Sequence, residues 1–251
     1  MKHSILLVLF FGCTSWLAAN EGTQSLIPKI AQRATENEKQ TKKYGYDMTM
    51  EYRWLNRDGT PKKTETKIYR TVWLSDKPHL QLIQINGRSL SSNQMEEEEK
   101  TKKEWRAATH NHENKRIPFV WKDILDKYDF TLDPNDHGEA YVFTFTHLHT
   151  KLPERSRMEK LLNHLNGKMW VDEKFRIVKL KAGLGDGVSF GFGLAKVTNL
   201  DLECSQEEYN DVILPILLRV TLKVRALLIF SEQLQITTRF ENYHSNLSAA
   251  K

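Results

Sequence analysis

Gly187-Val188-Ser189-Phe190-Gly191 spells the G-x-S-x-G pattern, in which a serine on a strained strand-to-helix turn becomes an acyl-transfer nucleophile. Asp211 and His244 follow in the serine, acid, histidine order of the α/β-hydrolases. That chemistry needs a helix after the second glycine. Phe192 to Leu202 reads as extended instead, and Gly183, Gly185, Gly187, Gly191 and Gly193 suit bends in a curved sheet, so a serine esterase built on Ser189 stands as an alternative only. His110-x-His112 with Glu113, and His147-x-His149, have the spacing of paired metal ligands. Zinc needs a third protein ligand and a shaped site. The first pair falls in a polar stretch and the second at a strand end, so solvated histidines are expected, with no metal and no cofactor. The glycine run is no phosphate loop, because it lacks a Lys-Ser/Thr ending and a following helix. A third group is apolar: Tyr44, Tyr46, Tyr52 and Trp54 share one face of an alternating segment, and Tyr141, Phe143 and Phe145 share one face of another. Such a stripe is either an ordinary core face or the wall of a cavity for an apolar ligand.

The elements that must position these residues are legible as patterns. Leu26, Ile27, Ile30, Ala31 and Ala34 recur at helical spacing from Ser25 to about Lys42, with Ser25 as N-cap and Pro28 in the first turn. Tyr44 to Trp54 then alternates with period two and predicts a strand. Asp58-Gly59 is its hairpin turn, Lys62 to Leu74 the return strand, Pro78 to Ile85 a third strand, and Asn86-Gly87 the next turn. Ser91 to Ala108 places Glu96 to Glu99 ahead of Lys100, Lys102 and Lys103, the acid-then-base order of a solvated helix. A polar break at Asn111 to Lys115 and a short helix from Pro118 to Tyr128 follow. Further strands are expected at Tyr128 to Phe130, Ala140 to His147, Gly167 to Asp172, Arg176 to Leu184, Phe190 to Glu203, Leu218 to Ala226 and Leu234 to Glu241, with a short helix or loop at Ser156 to Leu165. About nine or ten strands in hairpin order, interrupted by helices, predict a mainly β (α+β) fold. Its architecture is a strongly curved antiparallel sheet, with helices covering the concave face or mouth.

Composition bounds the rest. The chain has 251 residues, 39% hydrophobic and 10% aromatic, enough to bury a core and too apolar for a disordered chain. Lys+Arg 37 against Asp+Glu 32 is spread along the sequence, which gives no basic arm and no expectation of nucleic acid. Met1-Lys2-His3, the apolar run Ile5 to Phe11, and Leu17-Ala18-Ala19 before Asn20 have the layout of a secretory signal peptide over residues 1–19. Residues 20–251 then form a single domain with a charged helical insertion at about 90–127. An exported, periplasmic location follows, and only Cys204 remains, which excludes an internal disulfide. In the alternative, Cys13 becomes a lipid-modified N-terminus and anchors the chain.

A resemblance gathers these patterns. The N-terminal amphipathic helix and the tyrosine-rich first strand to Asp58-Gly59 are followed by Asn86-Gly87-x-x-Leu90-Ser91, Tyr128-Asp129-Phe130 and Ala140-Tyr141-Val142-Phe143. Gly167-x-x-Trp170-Val171-Asp172 comes next, with Arg176-Ile177-Val178-Lys179-Leu180 behind it. Over roughly residues 25 to 244 this order resembles the outer-membrane lipoprotein-sorting proteins, relatives of the periplasmic lipoprotein carriers. The resemblance implies a half-open barrel with a helical lid and an apolar interior for acyl chains, without catalysis. The expected partners are a lipid or lipoprotein acyl chain and an inner- or outer-membrane protein, in transport to the outer membrane. Beside the stripe named above, Trp73, Trp170, Phe190, Phe192, Leu218 and Val220 are the candidate cavity residues. A noncatalytic envelope scaffold of the same fold is the other reading.

Overall fold

Alternation of side chains commits most of the chain to strands. In the computed structural model, residues 8–74, 77–111, 128–133, 141–147, 157–190, 195–226 and 230–245 are described. Helix α1 (Val8–Thr41) leads into β1 (Tyr44–Leu55), β2 (Pro61–Leu74), β3 (Lys77–Ile85) and the two-residue β4 (Arg88–Ser89). Helix α2 (Ser92–Asn111) is followed by β5 (Tyr128–Leu132), β6 (Tyr141–His147) and a short helix α3 (Arg157–Leu162). The elements described after it are strands: β7 (Leu165–Val171), β8 (Ile177–Leu184), β9 (Val188–Phe190), β10 (Ala195–Tyr209), β11 (Val212–Ala226) and β12 (Phe230–Ser245).

Among the described residues, twelve strands join one antiparallel sheet in the order β4-β3-β2-β1-β12-β11-β10-β8-β7-β6-β5, with β9 added to β10. Two meanders, β1 to β4 and β5 to β12, are therefore joined where the first long strand pairs with the last, from Tyr44↔Ser245 to Leu55↔Gln233. The mainly β antiparallel expectation holds. The sheet is not closed, since β4 and β5 lie at opposite ends of the order.

Turn chemistry accounts for the connections. Asn86 and Gly87 both take positive φ, 53° and 73°, as a two-residue hairpin between β3 and β4 requires. Asn210 and Asp211 do the same at 50° and 63°, and turn β10 into β11. That second turn falls between the strands expected to Glu203 and from Leu218, in a stretch that holds Pro215. Pro215 sits opposite Gln206 at a register shift, the bulged position where a strand tolerates proline. Strand β11 thus begins at Val212 rather than Leu218, and β10 runs on to Tyr209. The expected Ser91–Ala108 helix is present as α2 and extends to Asn111. The short helix expected at Pro118 to Tyr128 lies outside the described residues up to β5.

The core lies between α1 and one half of the sheet. Ile30, Ala31 and Ala34 of α1 pack on Tyr128, Phe130, Phe143, Phe145, Met169, Val171 and Ala182, with Phe143 fully buried. These α1 positions are the helical stripe read in the sequence. Backbones pass so closely here that a Cβ on Gly167 would stand 2.0 Å from the Lys181 carbonyl oxygen. Asn37 fixes the far end of the helix: its amide nitrogen donates to the Ile213 carbonyl at 2.7 Å, and the Ile213 N–H donates to its Oδ1 at 2.9 Å. Among the described residues no helix is long and apolar enough to cross a membrane.

Candidate functional site: the apolar face of the sheet

Register decides which side chains share a face. One line runs Leu132, Phe143, Met169, Leu180, Cys204, Leu218, Thr238, Met50, Lys67 and Ile85, directly paired from β5 to β3. The line two residues away carries Phe130, Phe145, Gly167, Ala182, Leu202, Val220, Ile236 and Tyr52. Between them, on the opposite face, lie Thr131, Thr144, Lys168, Lys181, Glu203, Arg219, Thr237, Glu51 and Thr66. The sheet is amphipathic across its whole width because period-two alternation stays in phase through ten strands.

The polar face is laced with ion pairs. Glu203 lies 3.0 Å from Arg219, 3.5 Å from Lys181 and 3.7 Å from Lys179. Partial burial opposes its ionisation, but the three cations outweigh that and hold the carboxyl below the usual range. Arg70 bridges to Asp47 at 2.9 Å, and Lys168 to Asp133 at 3.1 Å.

The apolar face divides in two. Over β5 to β8, α1 closes it, and desolvation there pushes the Tyr128 phenol up to about 12 while its hydroxyl donates to the Leu162 carbonyl at 2.8 Å. Burial likewise raises the Cys204 thiol above its ordinary range. Over β1, β12 and β11 the same rows continue through Tyr52, Trp54, Leu234, Ile236, Val220 and Leu222, all only half-buried. Among the described residues, the principal helix contacts are α1 with β5 and β11, α2 with β3, and α3 with β9, none of them with β1 or β12.

The expected cavity residues fall into separate places. Phe143 and Phe145 belong to the packed core under α1, and Tyr141 stacks on Phe175 at 5.7 Å beside it. Tyr44 and Tyr46 join an aromatic cluster with Tyr209, Phe240 and Tyr243 at one end of β1. Tyr52 and Trp54 stack at 6.1 Å near the other end, with the ammonium groups of Lys67 and Lys63 over their rings. Leu218 and Val220 lie on the half-buried rows. Trp73 buries its indole N–H with no hydrogen-bond partner. Trp170 projects from the polar face, directly opposite Lys179, whose Nζ stands 5.3 Å from its ring centre. Phe190 is half-buried in β9 under Lys160, and Phe192 lies outside the described residues. Leu222, Leu234 and Ile236, which are not among the expected cavity residues although their alternation is visible in the sequence, share the half-buried rows.

The other candidate chemistry is not assembled. Ser189 lies in β9 opposite Lys196, whereas Asp211 follows Tyr209 at the far end of β10, about 40 Å away at the rise of a strand. His244 pairs with Gly45 at that far end and bonds the Asn242 carbonyl oxygen. His110 lies in α2 and His147 ends β6, where its Nε2 is buried without a hydrogen-bond partner; His112, Glu113 and His149 are outside the described residues. Among the described residues no group of three or more His, Cys, Asp or Glu is placed to hold a metal. Compared with known proteins, the chain matches no family model, no curated protein and no solved structure.

Proposed function

We propose that this chain is an exported, noncatalytic binding protein that shields an acyl chain or similar apolar ligand against the half-covered face of its sheet, in transport across an aqueous compartment. The observation that carries the reading is the continuity of the apolar rows from the packed half, under α1, onto β11, β12 and β1. A sheet with one apolar face must cover that face. Each methylene removed from water there is worth about 0.8 kcal/mol, so an acyl chain has a strong reason to occupy it. The resemblance to the lipoprotein-sorting proteins points the same way and supplies the finer form, a half-open barrel with helices as its lid. Full packing of Phe143 and Phe145 favours the envelope-scaffold reading for the other half.

Native mass spectrometry and lipid extraction of the purified full chain test the proposal. Acyl lipid is expected to co-purify, and a fluorescent fatty acid to bind saturably. A chain that is lipid-free from every preparation and fails to bind the fatty acid would leave the scaffold reading instead.

A further inference from the structure

Several basic side chains over the body of the polar face are held in ion pairs. Arg219, Lys179 and Lys181 surround Glu203, Arg176 lies between Asp172 and Glu208, and Arg70 meets Asp47. One end of the sheet is different. There the turn after Leu55 meets the adjoining ends of β10, β11 and β12, as the pairs Leu55↔Gln233 and Ala195↔Ala226 show. Arg57, Lys62, Lys196, Lys223 and Arg225 are all exposed at this end, and none of them is ion-paired among the described residues. Lys196 stands directly opposite Arg225 in the β10–β11 ladder. Like charges facing each other across a ladder are unfavourable until an anion lies between them.

Shape and polarity fit the charge. Two grooves of about 500 and 490 Å³ flank the hairpin; Lys62 and Lys63 line one, Lys223 and Arg225 line the other, and Leu55 and Arg57 border both. Of the nearby carboxylates, Asp58 accepts from the Thr60 N–H and hydroxyl, and Glu232 borders the first groove. Trp54, half-buried at the mouth of that groove, is the residue type that settles at a headgroup boundary.

We infer that this end of the sheet docks on an anionic lipid surface, with Arg57, Lys62, Lys196, Lys223 and Arg225 meeting headgroup phosphates and Trp54 and Leu55 meeting the interface. The inference goes beyond ligand shielding and does not rest on it. Trp54 and Leu234, half-buried members of the apolar rows, pair directly at this end, so docking brings them next to the bilayer. Attraction of this kind weakens with salt.

Co-sedimentation of the full chain with phosphatidylcholine vesicles, with and without phosphatidylglycerol, is the test. The wild type is expected to bind the anionic vesicles and to release as salt rises. The Arg57→Glu/Arg225→Glu double variant should bind them roughly tenfold more weakly or worse. A control of equal charge change, Lys39→Glu/Lys43→Glu, lies before the other end of β1 and should stay within about twofold of wild type. Circular dichroism checks the fold, and Arg57→Gln/Arg225→Gln replaces the reversal variant if that one fails to fold. Equal loss in tip and control variants, equal binding to pure phosphatidylcholine, or binding to heparin but to no vesicle would each overturn the inference. Fatty-acid binding by the tip variant should be unchanged, which separates this test from that of the proposed function.

Discussion

Glu208 shows how a single exposed carboxylate acquires a strong preference for its charged form. Arg176 hydrogen-bonds it, Lys174 approaches at 3.2 Å, and Asp172 holds Arg176 from the other side at 2.7 Å. The hydrogen bond from Arg176, followed by that from Lys174, brings its pKa from 4.5 down to about 2. The folded value is depressed, so the stabilisation is complete above about 4.5 and is lost as pH falls through about 2. We therefore predict that Glu208→Gln is less stable than wild type at neutral pH. The difference in unfolding midpoint should shrink steadily between pH 4.5 and 2. A difference independent of pH would assign the effect to packing rather than charge.

At the scale of elements, α1 is tied to the sheet by more than its apolar stripe. Asn37 presents both halves of its amide to the backbone of Ile213, itself buried, and so takes the place of a neighbouring strand at the start of β11. Asn37→Ala leaves a buried N–H and a buried C=O without partners. The expected loss is about 1–3 kcal/mol in chemical denaturation. Because the contact joins residues far apart in sequence, the loss should appear as faster hydrogen exchange along Ile213 and its neighbours, while Tyr128 to Leu132 stay protected. Uniform loss of protection would mean that α1 and the sheet unfold as one unit.

For the molecule as a whole, the two halves of the apolar face are expected to answer differently to mutation. Phe143 has no exposed surface, and Phe143→Ala should cost about 3–5 kcal/mol of stability. Ile236 lies on the same set of rows but is half-buried and outside the α1 cluster. Ile236→Ser should change the unfolding midpoint much less and weaken binding of a fluorescent fatty acid several-fold, since it places a hydroxyl on the proposed ligand wall. If both variants lose stability equally and neither affects binding, the face is core throughout and the binding proposal fails.

What local chemistry governs was readable in the residues. Alternation in Tyr44 to Trp54 and Leu234 to Glu241 set the strands, Asn86-Gly87 set its turn, and Leu26 to Ala34 set the face that α1 buries. These are properties of neighbours a few positions apart, so the sequence by itself determined them. Pairing of β1 with β12 joins residues some two hundred positions apart, and no short-range pattern specifies it. The same long-range register put Trp170 on the polar face, kept Ser189 remote from Asp211 and His244, and gathered Arg57, Lys196 and Arg225 at one end. Alternation tells which side chains share a strand face. Only the tertiary arrangement decides which strands lie side by side, which half of the face a helix covers, and which charges are left to meet one another.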